Sequence, residues 1–199
     1  DGTQQSVTGF TATGLVNNQT IAVLTNVSAG SSGTNAGNYT STATGSATNY
    51  NLTFVDGTLT IAKANLTVTA NSSTVTYSGA NQSVSGYTVT GLQGSDTVAN
   101  LTSITTTGAT GLNAGSYTNA VTVGTEANYV LAGVVGTLTI NKAMLSVTAD
   151  NKVRLYGETN PALTQTITGY VNGENAQSAG LTGSGVATTT AINTTGVGN

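Results

Sequence analysis

The chain repeats itself with a step the size of a small domain. The run Gly57-Thr58-Leu59-Thr60-Ile61-Ala62-Lys63-Ala64-Asn65-Leu66-Thr67-Val68-Thr69-Ala70 returns as Gly136-Thr137-Leu138-Thr139-Ile140-Asn141-Lys142-Ala143-Met144-Leu145-Ser146-Val147-Thr148-Ala149, so that Ile61 and Ile140 stand 79 residues apart. This step is longer than one coil of a β-helix and longer than most helical-solenoid or leucine-rich repeats. It therefore predicts separately folded units in tandem.

Other blocks follow nearly the same step. Gln5-Ser6-Val7-Thr8-Gly9-Phe10 returns as Gln82-Ser83-Val84-Ser85-Gly86-Tyr87, and Asn35-Ala36-Gly37-Asn38-Tyr39 returns as Asn113-Ala114-Gly115-Ser116-Tyr117. A third, more divergent copy ends on Val197-Gly198-Asn199, where the first copy has Ala36-Gly37-Asn38.

These blocks predict three repeats, at residues 1–63, 64–142 and 143–199. We expect the first to lack its opening strand and the third its final strands. Few residues separate Ile61 from Leu66, or Ile140 from Leu145. The repeats are therefore expected to lie end to end as a stiff rod.

The composition excludes several classes of function. Charged residues are 6% of the chain, against about 25% in a usual soluble domain, and four Lys and Arg cannot form a patch that follows a phosphate backbone. We therefore expect no nucleic-acid partner. No apolar run approaches the roughly 20 residues of a membrane span, so no membrane insertion is expected. A Thr-rich chain without Cys or His fits a secreted or cell-surface protein better than a cytosolic one.

The local pattern is that of strands. Leu66-Thr67-Val68-Thr69-Ala70 alternates apolar and hydroxyl residues, which is typical of a half-buried strand. Asp56-Gly57 stands between two such runs, which predicts a hairpin of the last two strands of each repeat. Residues 93–101 and 171–178 suit one short helical turn with an acidic residue at its N-terminus. The predicted fold is all-β, as tandem two-layer domains, and an immunoglobulin-like sandwich and a β-grasp-like sheet both remain open.

The core of the second repeat is predicted from its repeat-equivalent apolar positions. These are Leu66, Val68, Tyr77, Tyr87, Leu92, Leu101, Tyr117, Tyr129, Leu138 and Ile140.

The sequence offers no catalytic residue and no cofactor site. Histidine, the usual base of nucleophilic catalysis, is absent, and we predict that the chain is not an enzyme. The densest acidic set, Asp150, Glu158 and Glu174, does not form a recognisable calcium loop. No metal site is therefore predicted, and charge balance with Lys152 and Arg154 is the favoured interpretation of this set.

Two further patterns could mark a functional site, but each also has an ordinary structural or statistical explanation. Lys63 and Lys142 are repeat-equivalent, as in an isopeptide crosslink, but the required acidic partner does not recur, since Glu126 aligns near Ala47. A solvated lysine is therefore favoured. Asn-x-Ser/Thr triplets are as frequent as this composition gives by chance, and they alone predict no glycosylation. They begin at Asn18, Asn26, Asn38, Asn51, Asn65, Asn71, Asn81, Asn100 and Asn193.

The ordered motifs resemble a known family. The runs at residues 57–70 and 136–149, with Tyr77-Ser78-Gly79 and Asn128-Tyr129, resemble the tandem YDG and MBG domains of large secreted bacterial adhesins, including filamentous-haemagglutinin-like exoproteins. Tyr156-Gly157-Glu158-Thr159-Asn160-Pro161 is similar to the subtype with the signature Tyr-Gly-x-x-Asn-Pro. Ser78 departs from the middle letter of Tyr-Asp-Gly.

The resemblance implies a non-catalytic stalk, spacer or filament segment of an adhesin or biofilm-matrix protein. Its expected partners are neighbouring repeats of the same protein, other copies in a fibre, and host or matrix glycans bound through other regions; the binding residues are unknown. One alternative is a self-assembling fibre subunit completed by strand donation. A carbohydrate-binding or ice-binding module is a further alternative, although the chain has no Trp and its Thr-x-Thr pairs recur only once per repeat.

Overall fold

The computed structural model describes residues 1–182 and 186–196, so residues 197–199 of the third repeat lie outside the described part. The described part is all-β, as predicted, with two single 3₁₀ turns at Ile21–Val23 and Val98–Asn100. The first repeat contains β1 (Gln5–Thr8), β2 (Val27–Gly33), β3 (Gly37–Gly45) and β4 (Gly57–Ile61). The second contains β5 (Ala64–Ala70), β6 (Ser73–Thr76), β7 (Gln82–Val84), β8 (Tyr87–Thr90), β9 (Ile104–Thr106), β10 (Ala109–Gly111), β11 (Gly115–Asn119), β12 (Val121–Val123), β13 (Tyr129–Val134) and β14 (Gly136–Asn141). The third contains β15 (Ser146–Ala149) and β16 (Gln165–Thr168).

The strands form where apolar and hydroxyl residues alternate. In β5 the side chains of Leu66, Val68 and Ala70 are buried, while Asn65 is exposed and Thr67 and Thr69 are half-buried. Successive side chains of a strand point to opposite faces, so one face of β5 packs in the core and the other carries the polar side chains.

The described residues group into two compact units that do not follow the repeat boundaries. The first unit comprises Asp1–Asn71, Ser85–Thr107 and Asn119–Gly136, and the second comprises Ser72–Val84, Gly108–Thr118 and Thr137–Asn199. The second repeat therefore contributes strands to both units.

The first unit contains the four-stranded sheet of the first repeat, in the order β1-β2-β3-β4. Its strands are antiparallel, and β3 pairs with β2 through its second half and with β4 through its first half. The same unit holds the sheet β13-β5-β8, in which β5 lies parallel to β13 and antiparallel to β8. β9 and β12 form a separate antiparallel pair.

The core of the first unit lies around the two large apolar side chains of β5. Leu66 and Val68 are buried together with Leu101, Ile104 and Tyr129. Half-buried side chains complete this cluster, namely Ala64, Tyr87, Val89, Leu92, Val121, Val123 and Leu131.

The second unit has a smaller core. β14 lies between β11 and β6 and runs parallel to β6, while β7 pairs with β10 and β15 with β16, both antiparallel. Ala109, Leu138 and Ile140 are buried here. Val75, Tyr77, Val84 and Tyr117 pack around them.

The predicted core is largely confirmed. Six of the ten predicted residues are buried: Leu66, Val68, Leu101, Tyr129, Leu138 and Ile140. The other four are half-buried against the same clusters: Tyr77, Tyr87, Leu92 and Tyr117. Sequence analysis missed Ile104, Ala109 and Asn119, which are also buried.

The predicted hairpin of the last two strands is wrong. β13 and β14 follow each other in the chain but lie in different sheets, and each pairs in parallel with one half of the opening segment, β5 or β6. In the first repeat β4 pairs with β3. Gly136, the repeat equivalent of Gly57, allows close packing and not a hairpin turn. A Cβ on Gly136 would lie 2.2 Å from the carbonyl oxygen of Asn71.

The acidic residue of the predicted helical turn has a different role. Thr97 and Asn100 cap the 3₁₀ turn of the second repeat, because the Thr97 amide donates to Asn100 Oδ1 at 2.7 Å. Asp96 instead accepts a 2.6 Å hydrogen bond from the Tyr129 hydroxyl. Over residues 171–178 of the third repeat there are hydrogen-bonded turns and no helix.

Truncation of the central leucine of the second unit tests this core. Leu138 is fully buried, so Leu138→Ala should lower the free energy of unfolding by about 2–5 kcal/mol through lost burial and the cavity left behind. Chemical denaturation followed by circular dichroism measures the change. Leu112→Ala is the matched control, since Leu112 is 46% exposed, and should change stability by less than about 0.5 kcal/mol. Equal losses in the two variants would contradict the assigned core.

Candidate functional site: the junctions between repeats

Each repeat has a crossover loop at residues 16–24, 93–101 or 171–178, and tyrosines at repeat-equivalent positions hold this loop in the first and second repeats. The Tyr129 hydroxyl donates to Asp96 and accepts from the Gln93 amide at 3.0 Å. The Tyr50 hydroxyl donates to Gln19 and accepts from the Val16 amide at 3.3 Å. Burial, together with the hydrogen bond to Asp96, raises the pKa of Tyr129. The Tyr129 phenol therefore remains a neutral donor that fixes the crossover loop of the second repeat to β13.

A second tyrosine closes the turn of the Asn-Ala-Gly motif. The Tyr39 hydroxyl donates to the Asn35 carbonyl oxygen, and the Tyr117 hydroxyl to that of Asn113, both at 2.9 Å. Each ring covers a glycine, since a Cβ on Gly33 would lie 2.2 Å from the Tyr39 ring. This turn is one of the parts of the first repeat that meet the second.

Asn128 joins the first repeat to the second within the first unit. Its Oδ1 accepts from the Ala36 amide at 2.9 Å, and its Nδ2 donates to Asn35 Oδ1 at 3.1 Å. The linker is also held, because Lys63 Nζ donates to the Glu126 carbonyl oxygen at 2.6 Å and the Ala64 amide donates to the Asn128 carbonyl oxygen at 2.9 Å.

Glycines place the opening turn of one repeat against the crossover loop of the next. In the first unit Gly2 has φ +74°, and a Cβ there would lie 2.8 Å from the Gly94 Cα. In the second unit its repeat equivalent, Gly79, has φ +71°, and a Cβ there would lie 2.5 Å from the Asn172 Cβ. Both positions need glycine for the positive φ and for the close approach.

Side-chain hydrogen bonds reinforce the contact in the second unit. Asn172 Nδ2 donates to the Gly79 carbonyl oxygen at 2.7 Å. The Tyr77 hydroxyl donates to the Glu174 carboxylate, and this bond is the main reason that the pKa of Tyr77 is raised. The same pair of elements therefore meets at both junctions, from residues at equivalent positions.

The carboxylate of Glu126 organises the loop beside the linker. Its Oε1 accepts from Ser103 Oγ at 2.7 Å and from the amides of Thr102 and Ser103 at 2.9 and 3.0 Å. The Ser103 hydroxyl contributes most to lowering the pKa of Glu126, and Lys63 adds to the effect. Lys63 donates a hydrogen bond to the backbone of Glu126, as a lysine that takes no part in a crosslink does.

The acidic residues of the third repeat bind separate partners. The Asp150 carboxylate accepts from the hydroxyls of Thr164 and Thr166, and chiefly the Thr164 bond lowers its pKa. Arg154 donates to backbone carbonyl oxygens, including that of Ile192 at 2.5 Å. Within residues 1–182 and 186–196, no three His, Cys, Asp or Glu side chains come together in an arrangement that could hold a metal ion.

Eight of the nine Asn-x-Ser/Thr asparagines are exposed, and Asn71 is half-buried. Asn71 Nδ2 donates to the Ser85 carbonyl oxygen at 2.9 Å, so the Asn71 side chain has a structural role.

No helix of the described part is long and apolar enough to cross a membrane.

Comparison with known proteins identifies the repeats. The family described as MBG domain (YGX type) matches the chain three times, over residues 1–60, 66–139 and 145–199. No curated protein and no solved structure matches the chain.

The junction residues Asn128, Gly79 and Asn172 had not been predicted as functional from the sequence. The recurrence of glycine at positions 2 and 79 was a signal that could have identified Gly79.

The hydrogen bonds of Glu126 give the junction a pH dependence. A carboxyl with a lowered folded pKa stabilises the fold above its usual pKa, near 4.5, and this contribution is lost as the pH falls through the lowered value. Denaturation midpoints at pH 7 and pH 3 should therefore differ less in Glu126→Gln than in the unmodified chain. Glu158→Gln removes the same charge elsewhere in the chain and is the matched control. Equal pH dependence in Glu126→Gln and the unmodified chain would contradict this role.

Proposed function

The chain belongs to the MBG domain (YGX type) family along three tandem repeats, and we propose that it is a non-catalytic stalk or spacer segment of an extracellular bacterial adhesin or biofilm-matrix protein. In this role its direct partners are the neighbouring repeats of the same protein. The segment holds a binding region, located elsewhere in the protein, away from the cell.

The recurrence of one junction carries this proposal. Gly2 and Gly79 present the same turn, with the same left-handed backbone, to the crossover loop of the following repeat. The linker at Lys63 and Ala64 is held by hydrogen bonds to the second repeat. Short, fixed linkers and a junction that each repeat reproduces are what a fibre of uniform stiffness requires.

The surface chemistry is consistent with an extracellular spacer. Charged residues are 6% of the chain, and Thr67, Thr69 and their equivalents supply the polar face of the strands. Such a surface remains hydrated without attracting oppositely charged macromolecules over a distance. Stalk segments need this property because they must not bind before the tip does.

Removal of the second repeat from the full-length native protein tests the proposal. The deletion of residues 64–142 joins Lys63 to Ala143, so that Leu145-Ser146-Val147-Thr148-Ala149 takes the place of Leu66-Thr67-Val68-Thr69-Ala70. We expect the remaining repeats to fold, the fibre seen by electron microscopy to shorten by one repeat, and attachment of the cells to decrease only gradually.

A matched insertion separates length from recognition. A second copy of residues 64–142 inserted after Lys142 lengthens the fibre by one repeat and should leave attachment unchanged. If the deletion abolishes binding to a purified glycan or surface although the fibre is correctly displayed, these residues hold a recognition site and the spacer role is wrong. Absence of the protein from the cell surface and the medium would overturn the extracellular assignment.

A further inference from the structure

The opening and closing strands of the second repeat run side by side in the same direction. β5 and β13 pair in parallel, beginning with Ala64 opposite Tyr129. β6 and β14 also pair in parallel, and the offset between partners along the chain is the same as in the first pair. Residues 64–76, the opening arm, therefore keep a single register with residues 129–141, the closing arm.

Each arm is held on a second edge in one of the two sheets. In the first unit, β5 of the opening arm lies between β13 and β8. In the second unit, β14 of the closing arm lies between β6 and β11. Movement of either arm along its own axis must therefore break hydrogen bonds on both edges of its central strand.

Backbone hydrogen bonds join the arms at both ends. At the beginning, the Ala64 amide donates to the Asn128 carbonyl oxygen at 2.9 Å. At the end, the Tyr77 amide donates to the Asn141 carbonyl oxygen at 2.8 Å. The pairing therefore extends past the strands themselves, and neither end of the arms is frayed.

The central strand of each sheet is shielded from water. Leu66 and Val68 of β5 and Leu138 and Ile140 of β14 are at most 2% exposed. Water competes for backbone hydrogen bonds that are being stretched, and buried side chains keep water from the rows that they cover. The hydrogen bonds between the arms are therefore protected from replacement by water under load.

The chain enters and leaves the repeat at opposite ends of these pairs. The preceding repeat joins the opening arm at Lys63, and the following repeat joins the closing arm at Lys142. Tension along the chain pulls β5 at its beginning and, through β14, pulls β13 at its end. In the other sheet it pulls β14 at its end and, through β5, pulls β6 at its beginning. Because the paired strands are parallel, both pairs are loaded along their length and their hydrogen bonds share the load.

We propose that the two arms form a clamp that carries tension through the repeat, so that the domain resists unfolding when it is pulled at Lys63 and Lys142. Strands loaded along their length must lose a whole row of hydrogen bonds in one step, whereas strands loaded at the same end separate one bond at a time. Resistance to force depends on the unfolding barrier and not on the free energy of unfolding. This inference goes beyond the proposed spacer role, because it follows from the pairing within one repeat.

Single-molecule force spectroscopy of the 199-residue chain in two pulling directions tests the proposal. The chain has no cysteine, so handles attached to introduced cysteines define the points of load. Ala62→Cys with Lys142→Cys loads the arms at opposite ends. Ala62→Cys with Ala127→Cys loads them at the same end, because these two residues precede β5 and β13. The unfolding force should be several-fold higher in the first direction.

The two double-cysteine chains are matched controls for each other. All three substituted positions are exposed, so the substitutions should leave the fold intact. Chemical denaturation should give the same free energy of unfolding for both chains. A difference in unfolding force then reports the direction of the load alone.

Two leucines of one core cluster separate the clamp from general stability. Leu66 lies on β5, Leu101 follows the 3₁₀ turn outside both arms, and both are buried in the same cluster. Leu66→Ala should lower the unfolding force in the first direction, because it loosens a strand that must slide. Leu101→Ala removes the same atoms and should leave this force nearly unchanged, since its contacts are still formed when the arms separate.

Each outcome supports or overturns the clamp. Equal unfolding forces in the two directions would overturn it. An equal loss of force in Leu66→Ala and Leu101→Ala would show that the core as a whole resists the load, and this would overturn it as well. The comparison of directions needs no core variant, so it decides the question if Leu66→Ala does not fold. None of these readouts involves cell attachment, so the spacer role stands or falls separately.

Discussion

The insertion of β5 between β8 and β13 is the interaction on which the organisation of a repeat depends. This strand pairs antiparallel with the early part of its repeat and parallel with the late part, and it supplies Leu66 and Val68 to the centre of the core. A parallel pair requires a crossover connection, because its strands cannot be joined by a tight turn. The intervening strands and the crossover loop provide that connection, so the two ends of the repeat are held side by side.

The comparison of the first and second repeats isolates this effect within one chain. Where β5 is present, the flanking segments are strands; where no strand occupies the equivalent place, the same segments have no partners among the described residues. In the first repeat these segments are residues 10–15 and 51–55, and they line an open groove of about 1020 Å³. Segments of similar sequence therefore have different local structure in the two repeats.

Sequence reasoning could identify the strands and most of the core but not the pairing. Alternation in Leu66-Thr67-Val68-Thr69-Ala70 reports which face is buried, and the burial of Leu66 and Val68 follows from it. Alternation carries no information about the partner strand, which is why Asp56-Gly57 was interpreted as a hairpin. The junctions were missed for a different reason. Asn128 acts through two side-chain hydrogen bonds and Asn172 through one. Gly79 acts through its missing side chain, and none of these features leaves a periodic signal.

Amide hydrogen exchange measured residue by residue on the monomeric chain tests most directly whether β5 organises the repeat. The amides of β8 and β13 that hydrogen-bond to β5 should exchange slowly, whereas their equivalents in residues 10–13 and 51–55 should exchange at nearly the rate of an unfolded peptide. Comparable protection of the two sets, in a chain shown to be monomeric, would mean that these segments are ordered without an inserted strand and would contradict the account.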